Sequence, residues 1–260
     1  MKLSAFWDVA LALFWFGTGF LYLSESTSRR LISTWRQIIF ITGISLGAVI
    51  TVGPVAHAAI HTFWIHMIQH IGLMMLISPM LVLGAPIAVA QNSKQPRLRS
   101  LTQATLSGRS AKLLFNPTFG FLLFLTVLVS THFSPLADAG MRNPNVHCLE
   151  LILFIVGGFI YYYPVMEGNP TPVHVPYSTR VLSLFAMMLP ETMVGFFLYS
   201  GNRLLHALPD GMNMSTGVND QHTGGAIMWA MGMLIDTIWI VLAARDWFES
   251  EKRLAEAEDE

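Results

Sequence analysis

The chain has 260 residues, of which 53% are hydrophobic and 12% charged, with a net charge of −1 and a mean hydropathy of +0.52. Soluble domains carry about 25% charged residues, so half that proportion, with long uncharged runs, is the composition of an integral membrane protein. No basic patch with interleaved aromatics marks a nucleic-acid partner, and the single cysteine, Cys148, excludes an intramolecular disulfide and any CxxC metal or redox motif.

A helix needs roughly 20 apolar residues to cross a bilayer. Seven such segments follow one another: 6–23, 37–56, 63–90, 117–133, 147–165, 178–199 and 224–244. The expected fold is therefore all-α, a polytopic bundle of seven transmembrane helices over residues 1–248, with a charged cytoplasmic tail at 249–260. The first segment carries Asp8 and is followed by no small-residue cleavage site, so it reads as a span and not as a signal peptide. Gly53-Pro54 ends or kinks the second span, and Pro79 and Pro86 bend the third near its far end. The tail "ESEKRLAEAEDE" reads as a solvated helix.

Lysine and arginine set the expected orientation, because cytoplasmic loops carry their excess. Twelve of the 15 fall in loops one–two, three–four and five–six and in the tail. Only Lys2, Arg142 and Arg203 lie on the other side, which places the N-terminus outside and the C-terminus in the cytoplasm.

On that topology the histidines gather. His57 and His61 sit between spans two and three, and His66 and His70 lie one and two turns down span three. His132 ends span four, His147 begins span five, His206 lies in the six–seven loop and His222 opens span seven. Eight of nine share the outer side, and only His174 is cytoplasmic. Spacing of i, i+4 puts His66 and His70 on one helix face, and His57 and His61 likewise. At about 100° per residue, one straight helix would point the two pairs in opposite directions. A break between the pairs, turning all four toward one pocket, is the expected arrangement. Glu150, three residues after His147, and Asp220 are carboxylates suited to orient imidazoles at a metal site. Met212 and Met214 add thioethers, donors that suit cuprous copper. His174 and His206 are read as ordinary interface residues.

Two carboxylates lie deeper: Glu191, after Pro190 in span six, and Asp236, near the middle of span seven. Ionisable groups at that depth cost about 2.5–3.5 kcal/mol on insertion scales, so they face the bundle interior with a partner. They form either a polar relay beneath the histidines or neutral carboxyls bonded to neighbours. Span seven has no lysine for a retinal Schiff base. No HExxH helix, phosphate-binding glycine loop or GxSxG elbow is present either.

The run "WIHMIQHIGLMMLISPMLVLGAP" resembles the H-x-x-Q-H…P-L-L-x-L-G-x-P segment of the multi-span CtaG-type assembly factors of caa3-type cytochrome c oxidase. "FNPTFG" and "THFSPLADAG" flank span four as in that family. "NVHCLELILFIVGGFIYYYPV" is similar to its fifth span, and "NDQHTGGAIMWAMG" to its D-Q-x-x-G-x-x-M-W start of span seven. The resemblance implies a bacterial plasma-membrane protein needed to make a haem-copper oxidase active, through copper. On it, His66, Gln69 and His70 match the third-span motif, His147 the fifth, and Asp220 and Gln221 the seventh. His222 falls outside the motif, so its ligand role rests on the residue pattern alone.

The leading expectation is a non-enzymatic factor that holds copper on His57, His61, His66, His70, His132, His147 and His222. Gln69, Glu150, Met212, Met214, Asp220 and Gln221 would support that site. Copper would pass to a copper-binding oxidase subunit, with a periplasmic or extracellular chaperone as a further partner. Imidazole also suits zinc. A haem-binding electron carrier using His70 with His132 or His147 stays open, as does an intramembrane metal hydrolase with Glu191 as base.

Overall fold

Proline marks many of the helix starts. Pro54, Pro86, Pro96, Pro117, Pro135 and Pro144 each occupy the first turn of a helix, where a missing N–H leaves no carbonyl unsatisfied. The computed structural model describes residues 2–29, 32–166, 168–206, 208 and 213–258, and among them there is no strand. In chain order the helices are α1 (Lys2–Arg29), α2 (Thr34–Thr51), α3 (Pro54–Ala59), α4 (Phe63–Ile71), a π-helical turn (Gly72–Ile77), α5 (Ser78–Leu83) and α6 (Pro86–Gln91). There follow α7 (Pro96–Ser107), α8 (Arg109–Leu114), α9 (Pro117–Phe133), α10 (Pro135–Arg142), α11 (Pro144–Val165), α12 (Tyr177–Ser200) and α13 (Met214–Glu258).

Six helices are long and apolar enough to cross a membrane. A seventh is counted when the bent pair α9 and α10, Pro117–Phe133 and Pro135–Arg142, which meet at 69°, is taken as one span. The 17 residues of α9 alone are short for a crossing. Two expected boundaries shift. The second span ends at Thr51, because Gly53 takes a φ of 76° and Pro54 opens a separate short helix. The seventh runs without a break into the charged tail, to Glu258.

The third span, Phe63–Gln91, is the centre of the bundle, with 72% of its most apolar stretch buried against 17% for α1. It is also the most interrupted. Pro79 has no N–H to give to the carbonyl of Met75, and the indole of Trp239 on α13 donates there instead, at 2.8 Å. At the end of α5 three successive carbonyls are satisfied from elsewhere. Asn169 donates to Val82 at 2.7 Å, Arg36 to Leu83 at 2.7 Å, and the Tyr22 hydroxyl to Gly84 at 2.6 Å. Backbone groups inside a bilayer have no water to turn to, so these side chains are what allow the span to break at Gly84-Ala85-Pro86.

Lipid offers little hydrophobic drive between helices, so close packing of small residues holds the bundle together. α12 and α13 meet at Gly195 and Gly225, where any Cβ would strike the backbone of the opposite helix. Gly158 of α11 likewise abuts Met74 and Ser78 at the π-turn.

Candidate metal centre

Three polar caps build the site. Asn116, Ser134 and Asn143 each precede a proline and accept backbone N–H bonds from the following turn. Ser134 stops α9 just after His132, and Asn143 starts α11 just before His147. The short α10 between them brings the two histidines to the same end of the bundle. The third element is α4. Its N-terminal residue Thr62 gives it no side-chain cap; Asp220 of α13 supplies one instead, accepting from Phe63 N at 2.8 Å and Trp64 N at 3.2 Å. That fixes the turn on which His66 sits.

The result is a buried cluster of four histidines and one carboxylate. His66 and His147 have ring centroids 5.1 Å apart, His66 and His70 5.5 Å, and His70 and His132 4.5 Å. All four are buried, and Glu150 is fully so. A Glu150 carboxylate oxygen lies 3.9 Å from His66 Nε2 and 3.9 Å from His147 Nδ1. One donor atom from each of His66, His147 and Glu150 falls within 4.8 Å of the other two. His132 Nδ1 donates to the Leu128 carbonyl at 2.6 Å, so its Nε2 is the nitrogen left for a ligand.

Most of the donor atoms in this cluster have no hydrogen bond. His66 Nδ1, His70 Nε2, His132 Nε2, both nitrogens of His147 and both oxygens of Glu150 are buried with no hydrogen-bond partner. A buried polar group left in that state costs about 1–3 kcal/mol, and native interiors rarely tolerate several together. Around a tetrahedral ion with donors at about 2.0–2.2 Å, the donors stand about 3.4 Å from one another. The two 3.9 Å separations would shorten by about half an ångström around such an ion, and the donors of His66 and His147, within 4.8 Å of each other, would also draw together.

The remaining expected residues lie elsewhere. The break between α3 and α4 exists, but it turns His57 and His61 outward to the surface and not into the pocket. His57 pairs with Asp8 at 2.9 Å. His222 bonds the Gly201 carbonyl at 2.9 Å, tying α13 to the end of α12. Gln69 donates to the Ile50 carbonyl and so fastens α4 to α2. Gln221 binds the loop after α12, accepting from Leu205 N at 2.8 Å and donating to Arg203 O at 3.1 Å. Asp220 serves as the helix cap of α4. Met214 is exposed at the start of α13, and Met212 lies outside the described residues. Glu191 and Asp236 are buried and face each other across α12 and α13.

Two features go beyond the sequence reading. Glu150 stands between two imidazoles as an equal of the histidines rather than behind them. His206, read as an interface residue, is buried and stacks on Phe63 at 4.0 Å, a ring that in turn lies 6.4 Å from His66. The Gln221 bond to the neighbouring Leu205 holds it there. The signal available was the side-chain amide of Gln221, which anchors the loop at Leu205 and Arg203.

Among curated proteins the chain is 30% identical over 208 residues to the uncharacterized protein Mb0105 of Mycobacterium bovis and to the uncharacterized protein MT0111 of Mycobacterium tuberculosis. Each match covers 76% of this chain and 32% of the relative. The uncharacterized protein ML1998 of Mycobacterium leprae is 29% identical over 248 residues, 89% of this chain and 37% of its own. The chain thus spans about a third of the length of these relatives. No solved structure matches it. The family model of the cytochrome c oxidase caa3 assembly factors matches residues 9–250, and the chain belongs to that family.

Proposed function

We propose that this protein is a multi-pass, non-catalytic assembly factor of a bacterial plasma membrane. It holds one transition-metal ion at His66, His147 and Glu150, with His70 and His132 beside them, and hands it to the copper-binding subunit of a haem-copper oxidase. The carrying observation is twofold: buried imidazole and carboxylate atoms of α4, α9 and α11 lack hydrogen bonds, and one donor atom from each of His66, His147 and Glu150 falls within reach of a single ion. Family membership supplies the oxidase and, with it, copper as the first cargo to test. Imidazole and carboxylate suit Cu(II) and Zn(II) alike. A periplasmic or extracellular copper chaperone is the donor this reading requires, and an outward-facing site is the orientation it requires.

Two other readings fit less well. His70 and His132 lie edge to face with 4.5 Å between their centroids, which leaves no slot for a porphyrin plane between two axial ligands. The base a hydrolase would use, Glu191, is paired with Asp236.

The test is metal analysis of the detergent-purified full chain after loading with Cu(II) or Zn(II) and removal of excess. About one equivalent in the wild type, lost in a His66→Ala/His147→Ala variant that keeps its thermal transition, is the expected result. An equivalent retained by that variant would overturn the site, and no retention of either metal by the wild type would overturn the proposal.

A further inference from the structure

His147 belongs to the metal cluster and also lines a narrow cleft that opens at the surface between α1, α3 and α11. Across the cleft's mouth, Asp8 of α1 and His57 of α3 are joined at 2.9 Å, with 29% and 54% of their side chains exposed. One flank is closed by the Trp7 indole, which donates to Asn145 at 2.7 Å. The wall beside His147 carries the thiol of Cys148, the chain's only cysteine. The other members of the cluster are walled in: Phe154 lies against His70, Gly140 covers Glu150, and Phe63 and His206 stack over the His66 side.

We propose that this cleft is the path by which the metal cation reaches the cluster, with Asp8 and His57 as its receiving pair and His147 as the first buried ligand. This rests on the metal-holding reading above. A carboxylate beside an imidazole, both exposed, attracts a divalent cation and offers it two donors. The pair is too open to retain the ion against a site that offers more donors in a dry setting. His147 stands at the inner end, where its ring is 5.1 Å from His66 and its Nδ1 3.9 Å from Glu150. The ion therefore moves from two exposed donors to three buried ones along a short cleft that the same His57, Asp8 and His147 line. His57 is in this way a transit ligand, absent from the final coordination.

The sole cysteine supplies the test. Zinc(II), which a thiol cannot reduce, is mixed with the purified full chain, and its uptake is followed by competition with a chromophoric chelator. The comparison covers the wild type, the wild type in which one small methanethiosulfonate label on the buried Cys148 has been confirmed by mass, a Cys148→Ala protein given the same reagent, and an Asp8→Asn/His57→Ala variant. Labelled protein and the double variant are expected to take up zinc at least tenfold more slowly and to reach the wild-type stoichiometry. Reagent-treated Cys148→Ala is expected to match the untreated wild type. Unchanged rates in both the labelled protein and the double variant, with normal binding at equilibrium, would overturn the path and leave the site standing. No zinc bound at equilibrium by the wild type, with none after Cu(II) loading either, would instead remove the site and the path with it.

Discussion

The Asp220 carboxylate accepts a hydrogen bond from the backbone N–H of Phe63 at 2.8 Å, so the seventh span caps the helix that carries the third span's histidines. Capping carboxylates stabilise a helix start by about 0.5–2 kcal/mol, and here the cap lies three residues from His66. Asp220→Ala is expected to lower the thermal transition of the solubilised protein by that order and to weaken metal binding, while Asp220→Asn keeps most of both. An unchanged transition in the alanine variant would show that α4 starts without this help.

Glu150 and Glu191 are both buried carboxyls on neighbouring spans, and they separate two roles. Glu150→Gln keeps the shape and removes the charge between His66 and His147. Chelator competition should show metal affinity reduced by about 10–100-fold or more, the range seen when a group in or next to a metal site is altered. Glu191→Gln should leave it within twofold, and a comparable loss there would mean that the deep carboxyls belong to the same site.

Gly140 is the point where α10 presses on the site, since a Cβ at that position would land on the Glu150 carboxylate. Gly140→Ala displaces the carboxylate from between its two imidazoles without touching any donor atom. The affinity is expected to fall as far as in Glu150→Gln. Retained affinity would show that α10 gives way and that Glu150 has room to spare.

Trp239→Phe tests the break in the third span. The substitution leaves the Met75 carbonyl, freed by Pro79, without its donor at 2.8 Å. A loss of about 1–3 kcal/mol is expected for an unsatisfied buried carbonyl, read as a lower unfolding midpoint with metal affinity preserved.

Orientation has its own measurement. A green fluorescent protein fused after residue 260 is expected to fluoresce, and alkaline phosphatase at the same point to be inactive, because twelve of the 15 lysines and arginines mark that side as cytoplasmic. The reverse pattern would put the histidine end in the cytoplasm and remove an outside copper donor from consideration.

Helix identity and the shared end of the histidines were legible in the sequence, because span length and i, i+4 spacing follow directly from helix geometry. The direction in which a broken helix turns was not. The pattern of His57, His61, His66 and His70 calls for a break only if all four face one pocket, and the first pair instead faces outward, with Asp8 bonded to His57 there. The motif residues Gln69, Asp220 and Gln221 were legible as a group but not in kind. A side chain that binds a neighbour's backbone and one that binds an ion use the same atoms. Only the partners, here Ile50, Phe63 and Leu205, tell them apart.

The π-turn at Gly72–Ile77 has a rotational consequence. A π-turn takes in one residue more than an α-turn, and each residue is worth about 100° of azimuth. His66 and His70 before the turn are therefore out of phase with Pro79 after it, relative to an unbroken helix. Deleting one residue, Leu76 for instance, would restore the α-helix and force a choice. Either the imidazoles swing away from Glu150 with the Met75 carbonyl still bonded to Trp239, or the imidazoles hold and the lower half of the span loses its seat. The third span thus behaves as two helices with separately chosen faces, and the extra residue is the phase shifter that lets one continuous crossing serve both.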